Sequence, residues 1–229
     1  LEPIAGSIID RAVRNIITLT LGFFGLLSLV VWFLRESGHA ISLKRVVGYG
    51  LLLAIAAAAA LFRIERVSGD LVPELRLRWM PSRDRLLPPA RVTAQPAPVA
   101  SWEPTAADFP SFLGPNGSAG LDGPALDRDW SARPPQQAWR TAIGAGWSGF
   151  AICGDHAVTL EQRGDEELVT CRSVGDGSLE WSVAVRGRHA TVLGGVGPRS
   201  TPTLRDGIVY TTGGTGWLHA IDGATGAVV

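Results

Sequence analysis

The chain has 229 residues, 46% of them hydrophobic and 18% charged, with a formal net charge of zero. That average conceals two unlike halves: residues 1–100 carry 12 Lys/Arg against 7 Asp/Glu, while 101–229 carry 9 against 14 and hold 21 of the 28 glycines. The single lysine, Lys44, excludes a G-x-x-x-x-G-K-[ST] phosphate loop, and Schiff-base chemistry in the acidic half. Cys153 and Cys171 make neither a C-x-x-C zinc site nor a disulfide-dense scaffold, and no basic stripe with interleaved aromatics marks a nucleic-acid binder.

After a tail of residues 1–15, the stretch 16–34 (IITLTLGFFGLLSLVVWFL) contains no charge. As a helix it covers roughly 28 Å, close to the hydrocarbon thickness of a bilayer. Arg11 and Arg14 precede it, Arg35 and Glu36 follow, and Trp32 sits near one end, where an interfacial aromatic belongs. A second, Ala-rich run spans 46–62 between Lys44–Arg45 and Arg63. A soluble helical hairpin needs a polar face and neither run has one, so two transmembrane helices are expected to anchor the chain in a lipid bilayer. The length of the first run, and the second behind it, argue against a cleaved signal peptide.

Residues 63–107 read as a tether. The first part (RIERVSGDLVPELRLRWMPSRDR) is basic and suits either an anionic membrane surface or a solvated linker. From Leu87 the Pro/Ala-rich LPPARVTAQPAPVASWEPTAA reads as a semi-extended spacer, and the domain boundary is expected here.

The acidic half repeats. VTCRSVGDGSLEW, ending at Trp181, lies over LHAIDGATGAVV, ending at Val229, at an offset of 49 that superposes Gly177 on Gly226. Upstream, Asp155-His-Ala-Val-Thr lies over Asp206-Gly-Ile-Val-Tyr at an offset of 51, with the difference assigned to a hairpin tip at Glu161–Glu167. Each copy reads as four short strands: 148–153, 156–161, 167–173 and 179–184, then 200–204, 207–212, 217–222 and the start of a fourth. Alternation with period 2, turn glycines and a repeat near 50 residues indicate β-propeller blades, with Trp181 on an outer strand covering the gap to the next blade. The second copy stops one residue before its equivalent of Trp181, so the chain is expected to be the N-terminal part of a longer propeller.

Leu218-His-Ala-Ile-Asp-Gly-Ala-Thr-Gly226 resembles the blade signature of the pyrroloquinoline-quinone (PQQ)-like repeat propellers, L-Y-A-L-D-x-x-T-G-x-x-x-W. The first copy keeps Gly177 and Trp181 but has Arg172, Ser173 and Asp176 where the family favours Leu, Asp and Thr. Asp108 to Gly117 (DFPSFLGPNG) resembles the W-P-x-F-R-G-P-N-G opening of many bacterial members, with Phe109 for the Trp and Leu113 for the Arg. The resemblance covers about 108–229. It implies an all-β propeller beginning at 108, with 138–143 (AWRTAI) as the outer strand closing the last blade. Five or six further blades would then lie beyond Val229.

Few residues carry a chemical signal. Gly144-Ala-Gly-Trp-Ser-Gly149 spells G-x-G-x-x-G, but β-type residues follow it, so it reads as a loop leading into a strand rather than a dinucleotide fingerprint. Ser148 is not in a G-x-S-x-G elbow, since residue 150 is Phe. His156, His189 and His219 have no ligand-like spacing, and no metal site is expected. Asp165-Glu166-Glu167 reads as a solvated hairpin tip. Cys153 and Cys171 fall on the first and third strands of one blade, about 9–10 Å apart and beyond the bridging limit, so two buried free thiols are expected. No catalytic residue is assigned, and the cofactor-binding residues are left unknown.

The resemblance to quinoprotein dehydrogenases would imply a vicinal Cys-Cys pair and a carboxylate/amide calcium cluster, and residues 1–229 contain neither adjacent cysteines nor an acid-rich ligand run beside an Asn. The expected function is therefore a membrane-anchored propeller acting as a non-catalytic binding or assembly platform, with a protein partner on the propeller face. The alternatives are a PQQ- and calcium-dependent dehydrogenase of alcohols or sugars, and a sensor signalling through the helices. Arginine distribution alone points the C-terminal half to the cytoplasm, because Arg63, Arg66, Arg76 and Arg78 follow the second run. Members of the family work outside the cytoplasm, and the periplasmic or extracytoplasmic side is the expectation taken here, with 35–45 inside.

Overall fold

The computed structural model describes residues 10–90, 102, 103, 105–120, 127 and 129–229. These divide into two compact units, 1–81 with 191–195 and 82–190 with 196–229.

The first unit opens on α1 (Arg11–Arg35) and α2 (Ile41–Leu61). Neither helix buries a residue, and both are long and apolar enough to cross a membrane. The helices extend the expected spans at the N-terminal side, taking in Arg11 and Arg14 in one case and Lys44 and Arg45 in the other. Phe62 leaves the second helix and starts a strand.

The first part of the expected tether is structured. β1 (Phe62–Val67) and β2 (Pro73–Leu77) form an antiparallel hairpin with a register shift between Ile64 and Arg66. The basic composition hides period-2 alternation, because the arginines are held by local partners. Arg66 pairs with Glu74 at 2.9 Å, and Glu65 lies between Arg63 at 3.4 Å and Arg76 at 3.8 Å. Arg78 Nε donates to the carbonyls of Ala59 and Phe62, satisfying acceptors at the end of α2. The two units part between Pro81 and Ser82, inside the expected 63–107 segment. Ser82 to Ala90, with the 3-10 turn Arg83–Leu86, cluster with the sheet unit. Most of the Pro/Ala-rich spacer, 91–101, lies outside the described residues.

The second unit is antiparallel β structure, and no sheet closes into a barrel among the described residues. β3 (Ala151–Cys153), β4 (His156–Arg163), β5 (Glu166–Ser173) and β6 (Leu179–Arg186) form one sheet in chain order. The two-residue strands β7 (Ala190–Thr191) and β8 (Gly195–Val196) follow. β9 (Thr203–Arg205), β10 (Ile208–Thr212) and β11 (Leu218–Asp222) form the second sheet, also in chain order. Val228 bridges to Ile221, and the Val229 amide donates to Ala220, so a fourth strand begins where the repeat places it. The strands agree with the expected ones within a few residues.

The hairpin tip is smaller than expected. The β4–β5 ladder runs on through Gln162↔Glu167 and Arg163↔Glu166, leaving only Gly164 and Asp165 in the turn. Within the acidic triplet Asp165 is exposed in the turn as expected and Glu166 is half-buried, but Glu167 is fully buried, as are Glu161 and Gln162 on the strand before the turn. Polar residues extend these strands because each finds a partner inside. Gln162 Nε2 donates to the carbonyls of Gly164 and Gly187 and its Oε1 accepts from the His189 amide, while Glu161 accepts from Arg163.

Alternation gives the first sheet two covered faces. One carries Val158, Leu160, Val169, Cys171 and Trp181, which cluster with Leu204, Val209 and Ile221 of the second sheet. The other carries Glu161, Arg163 and Arg172. Here Gly144 donates its amide to the Glu161 carboxylate, Arg163 donates to the Pro88 carbonyl, and Ser182 donates to that of Ala90. The opening segment stitches the sheets together: Phe109 exchanges two backbone hydrogen bonds with Ile152 of β3, and Pro110 accepts from the Leu204 amide of β9.

Tryptophans lock the turns. Trp181 Nε1 donates to the Gly223 carbonyl at 2.7 Å, and its ring lies over Gly226, where an added Cβ would come within 2.9 Å. Trp139 repeats the arrangement on the first sheet, donating to the Val174 carbonyl at 2.7 Å and covering Gly177, where an added Cβ would come within 2.5 Å. In both cases the acceptor stands three residues before the glycine. Residues 138–143 lie in no named β-strand, contrary to the outer strand that the family resemblance implied. Trp139 makes its contact with the Gly177 turn without a strand around it.

Asp84 and Asp108 set the acid sensitivity of this unit. Burial works against the charged form of each. For Asp84 the Arg188 guanidinium at 2.6 Å and the Ser82 hydroxyl outweigh it, and for Asp108 the Thr105 hydroxyl and amide and the Gly154 amide do so. Both carboxyls therefore titrate below the ordinary aspartate range. A depressed folded pKa gives stabilisation that is complete above the unfolded value, about 3.9, and is lost as pH falls through the folded one. The sheet unit should hold a constant thermal midpoint from pH 7 to 5 and lose it below about pH 4. Asp84→Asn should cost about 1.5–3 kcal/mol at pH 7 and flatten that acid limb. An unchanged midpoint at pH 7, read by tryptophan fluorescence, would contradict the pairing.

Candidate functional site

The concentration of reactive side chains lies on the core face of the first sheet. His156 opens β4, Cys171 stands on β5, and β6 contributes Glu180. The ladder pairs Cys171 with Trp181 and then Arg172 with Leu179, so Glu180 is the extra residue of a β-bulge. Strict alternation would turn Glu180 to the face opposite Trp181. The bulge instead delivers its carboxylate to the core face, with Oε2 2.8 Å from His156 Nδ1 and accepting from Cys171 Sγ at 3.1 Å. One donor atom from each residue falls within 4.8 Å of the others.

The cluster is largely buried. His156 is 3% exposed and Cys171 fully buried, whereas the Glu180 side chain keeps 16% of its surface open. The Trp102 ring stacks on the imidazole with centroids 5.1 Å apart and planes within 2°. Burial pushes the Cys171 thiol far above its ordinary range, and the Glu180 carboxylate adds to the push.

Cys153 lies on β3 and Cys171 on β5, with β4 between them, and both thiols are free and buried, as the strand assignment requires. Burial, with Asp108 behind it, pushes the Cys153 thiol up to about 11. The G-x-G-x-x-G stretch leads into β3 and opens no helix, in line with its reading as a loop; its Gly149 amide donates to Thr201 Oγ1 and its Ser148 hydroxyl accepts from the Leu160 amide. His219 lies on β11 with its ring 4.8 Å from that of Trp217, and His189 follows β6. The structure therefore brings only one of the three histidines into a donor cluster among the described residues.

Two other buried acids are joints between elements. Glu167 Oε2 accepts from Trp217 Nε1 at 2.7 Å and from Thr215 Oγ1 at 3.3 Å, tying β5 to the segment before β11. Glu161 holds Arg163 at 3.2 Å and Arg172 at 4.0 Å, and Arg172 in turn donates to the Gly177 carbonyl. Of the residues that matter in the cluster, Glu180 is the one that sequence reasoning missed. A carboxylate directly before Trp181 carries no signal until the bulge is known.

No known family profile matches the chain, and no curated protein matches it.

Burial governs access to the thiols. Titration of the folded chain with a thiol reagent at pH 7 should find close to none reactive, and two after denaturation. Rapid reaction of either cysteine in the folded chain would contradict the packing of β3 and β5.

Proposed function

We propose that the chain is a membrane-anchored β-propeller of the PQQ-like repeat type, serving as a non-catalytic platform that holds a protein partner. The observation that carries this reading is the repeated joint: Trp139 over Gly177 and Trp181 over Gly226, each donating to the carbonyl three residues before the glycine. Trp181 joins one sheet to the turn of the next, and Trp139 makes the same indole-over-glycine contact from outside any strand; the recurrence of this contact at the repeat spacing suits radial stacking of sheets around a common axis. Two faces of the first sheet are covered in the way a blade between two neighbours would be. Loops emerging at the ends of such blades collect on one surface, the usual place for partner capture. In this reading α1 and α2 tether the platform to the bilayer as a two-span anchor, with the propeller on the periplasmic or extracytoplasmic side.

The test uses the chain in its membrane. Addition of PQQ and calcium should leave thermal unfolding unshifted, and a panel of alcohols and sugars should give no reduction of an artificial electron acceptor. Crosslinking in intact cells should then recover a defined protein partner through loops of the sheet unit. Saturable stabilisation accompanied by turnover would replace the platform with a quinoprotein dehydrogenase.

A further inference from the structure

We infer that His156, Cys171 and Glu180 form a binding site for a divalent transition-metal ion, with zinc the best match. The inference is independent of the propeller reading, since the three donors belong to one sheet. The set comprises an imidazole nitrogen, a sulfur and a carboxylate oxygen, the combination that zinc accepts and calcium, which takes oxygen ligands, does not. Its geometry is that of a collapsed three-ligand site. Bonds of roughly 2.0–2.1 Å would put nitrogen and oxygen donors about 3.3 Å apart on a tetrahedron. The observed separations are 2.8 Å from Nδ1 to Oε2 and 3.1 Å from Sγ to Oε2, with all three atoms within 4.8 Å. Opening the triad by a few tenths of an ångström admits an ion, and the glutamate, standing on a bulge and partly open, is the side chain with room to move.

Three further features fit. The donors come from β4, β5 and β6 of one continuous ladder, so the backbone positions of His156 and Cys171 are fixed before any ion arrives. Trp102 stacks on the imidazole and restrains its ring plane. The partly exposed Glu180 provides a path to solvent and a place for water as a fourth ligand. Binding would replace the thiol hydrogen bond by a sulfur–metal bond, with the thiol proton released to solvent and no change of oxidation state.

Cobalt(II) is the probe for the full chain in detergent or nanodiscs. One equivalent should produce thiolate-to-cobalt charge-transfer absorption together with the intense ligand-field bands of tetrahedral coordination, and one equivalent of zinc should abolish both. Cys171→Ser should lose the charge-transfer band, Glu180→Gln should weaken zinc at least about tenfold, and Cys153→Ser, which alters the neighbouring buried thiol, should keep wild-type spectra. Circular dichroism of each variant checks that it has folded. A wild-type chain that is folded yet gives no charge-transfer band overturns the site. So does a band that survives in Cys171→Ser, or one removed equally by calcium.

Discussion

The sheet unit depends on an indole resting on a glycine turn. Between Asp222 and Ala227 the chain reverses with Gly226 at a φ of +71°, and the Asp222 carboxylate accepts from the Thr225 amide and hydroxyl to hold the bend. The bare Cα leaves a flat seat, and the Trp181 ring of the preceding sheet fills it while its N–H satisfies a turn carbonyl. A large apolar surface and a polar group are thus buried together. The Gly177 turn, at a φ of +74°, receives Trp139 in the same way. Ridge-and-groove packing of sheet faces tolerates sliding, whereas a hydrogen-bonded ring over a single glycine does not. The joint therefore fixes the register of one sheet against its neighbour.

Much else follows from that fixed register. The core face of the first sheet meets Leu204, Val209 and Ile221, and Glu167 finds the Trp217 indole just before β11. On the far face, Arg172 joins Glu161 to the Gly177 carbonyl, so the ion pair inside one sheet also braces the turn on which Trp139 rests. A buried pair of this kind specifies an arrangement more than it adds net stability. The donor cluster of His156, Cys171 and Glu180 sits beside the Trp181 joint, and the bulge that aims Glu180 follows from placing residues 180 and 181 on the same face.

The repeat was legible because turn glycines and alternating apolar residues recur at nearly fixed spacing. Gly177 on Gly226 placed seven strands, the two cysteines and the role of Trp181 without coordinates. What composition hid was polar residues at work inside. Glu167 of the Asp165–Glu167 triplet read as solvated, and the basic first part of the 63–107 tether read as unstructured, because charge is a poor guide where charged groups find partners. The bulge at Glu180 was illegible for a different reason: a one-residue shift in pairing leaves the local pattern unchanged and reverses which face a side chain takes. Trp139 gave a partial signal, since the AWRTAI motif pointed to a closing strand while the structure retains its indole joint without a named strand there.

Substitution of the seat is the most direct measure of whether the joint governs the sheet unit. Gly207 has the same φ as Gly177, +74°, yet nothing lies within 4 Å of where its Cβ would stand. Gly207→Ala therefore reports backbone strain alone, about 1 kcal/mol. Gly177→Ala and Gly226→Ala add the displaced indole and should each cost roughly 1–3 kcal/mol more. The thermal midpoints of the three variants, compared in the full chain, should fall in that order. Equal midpoints for all three would show that the tryptophans merely cover the turns and that the register of the sheets is set elsewhere.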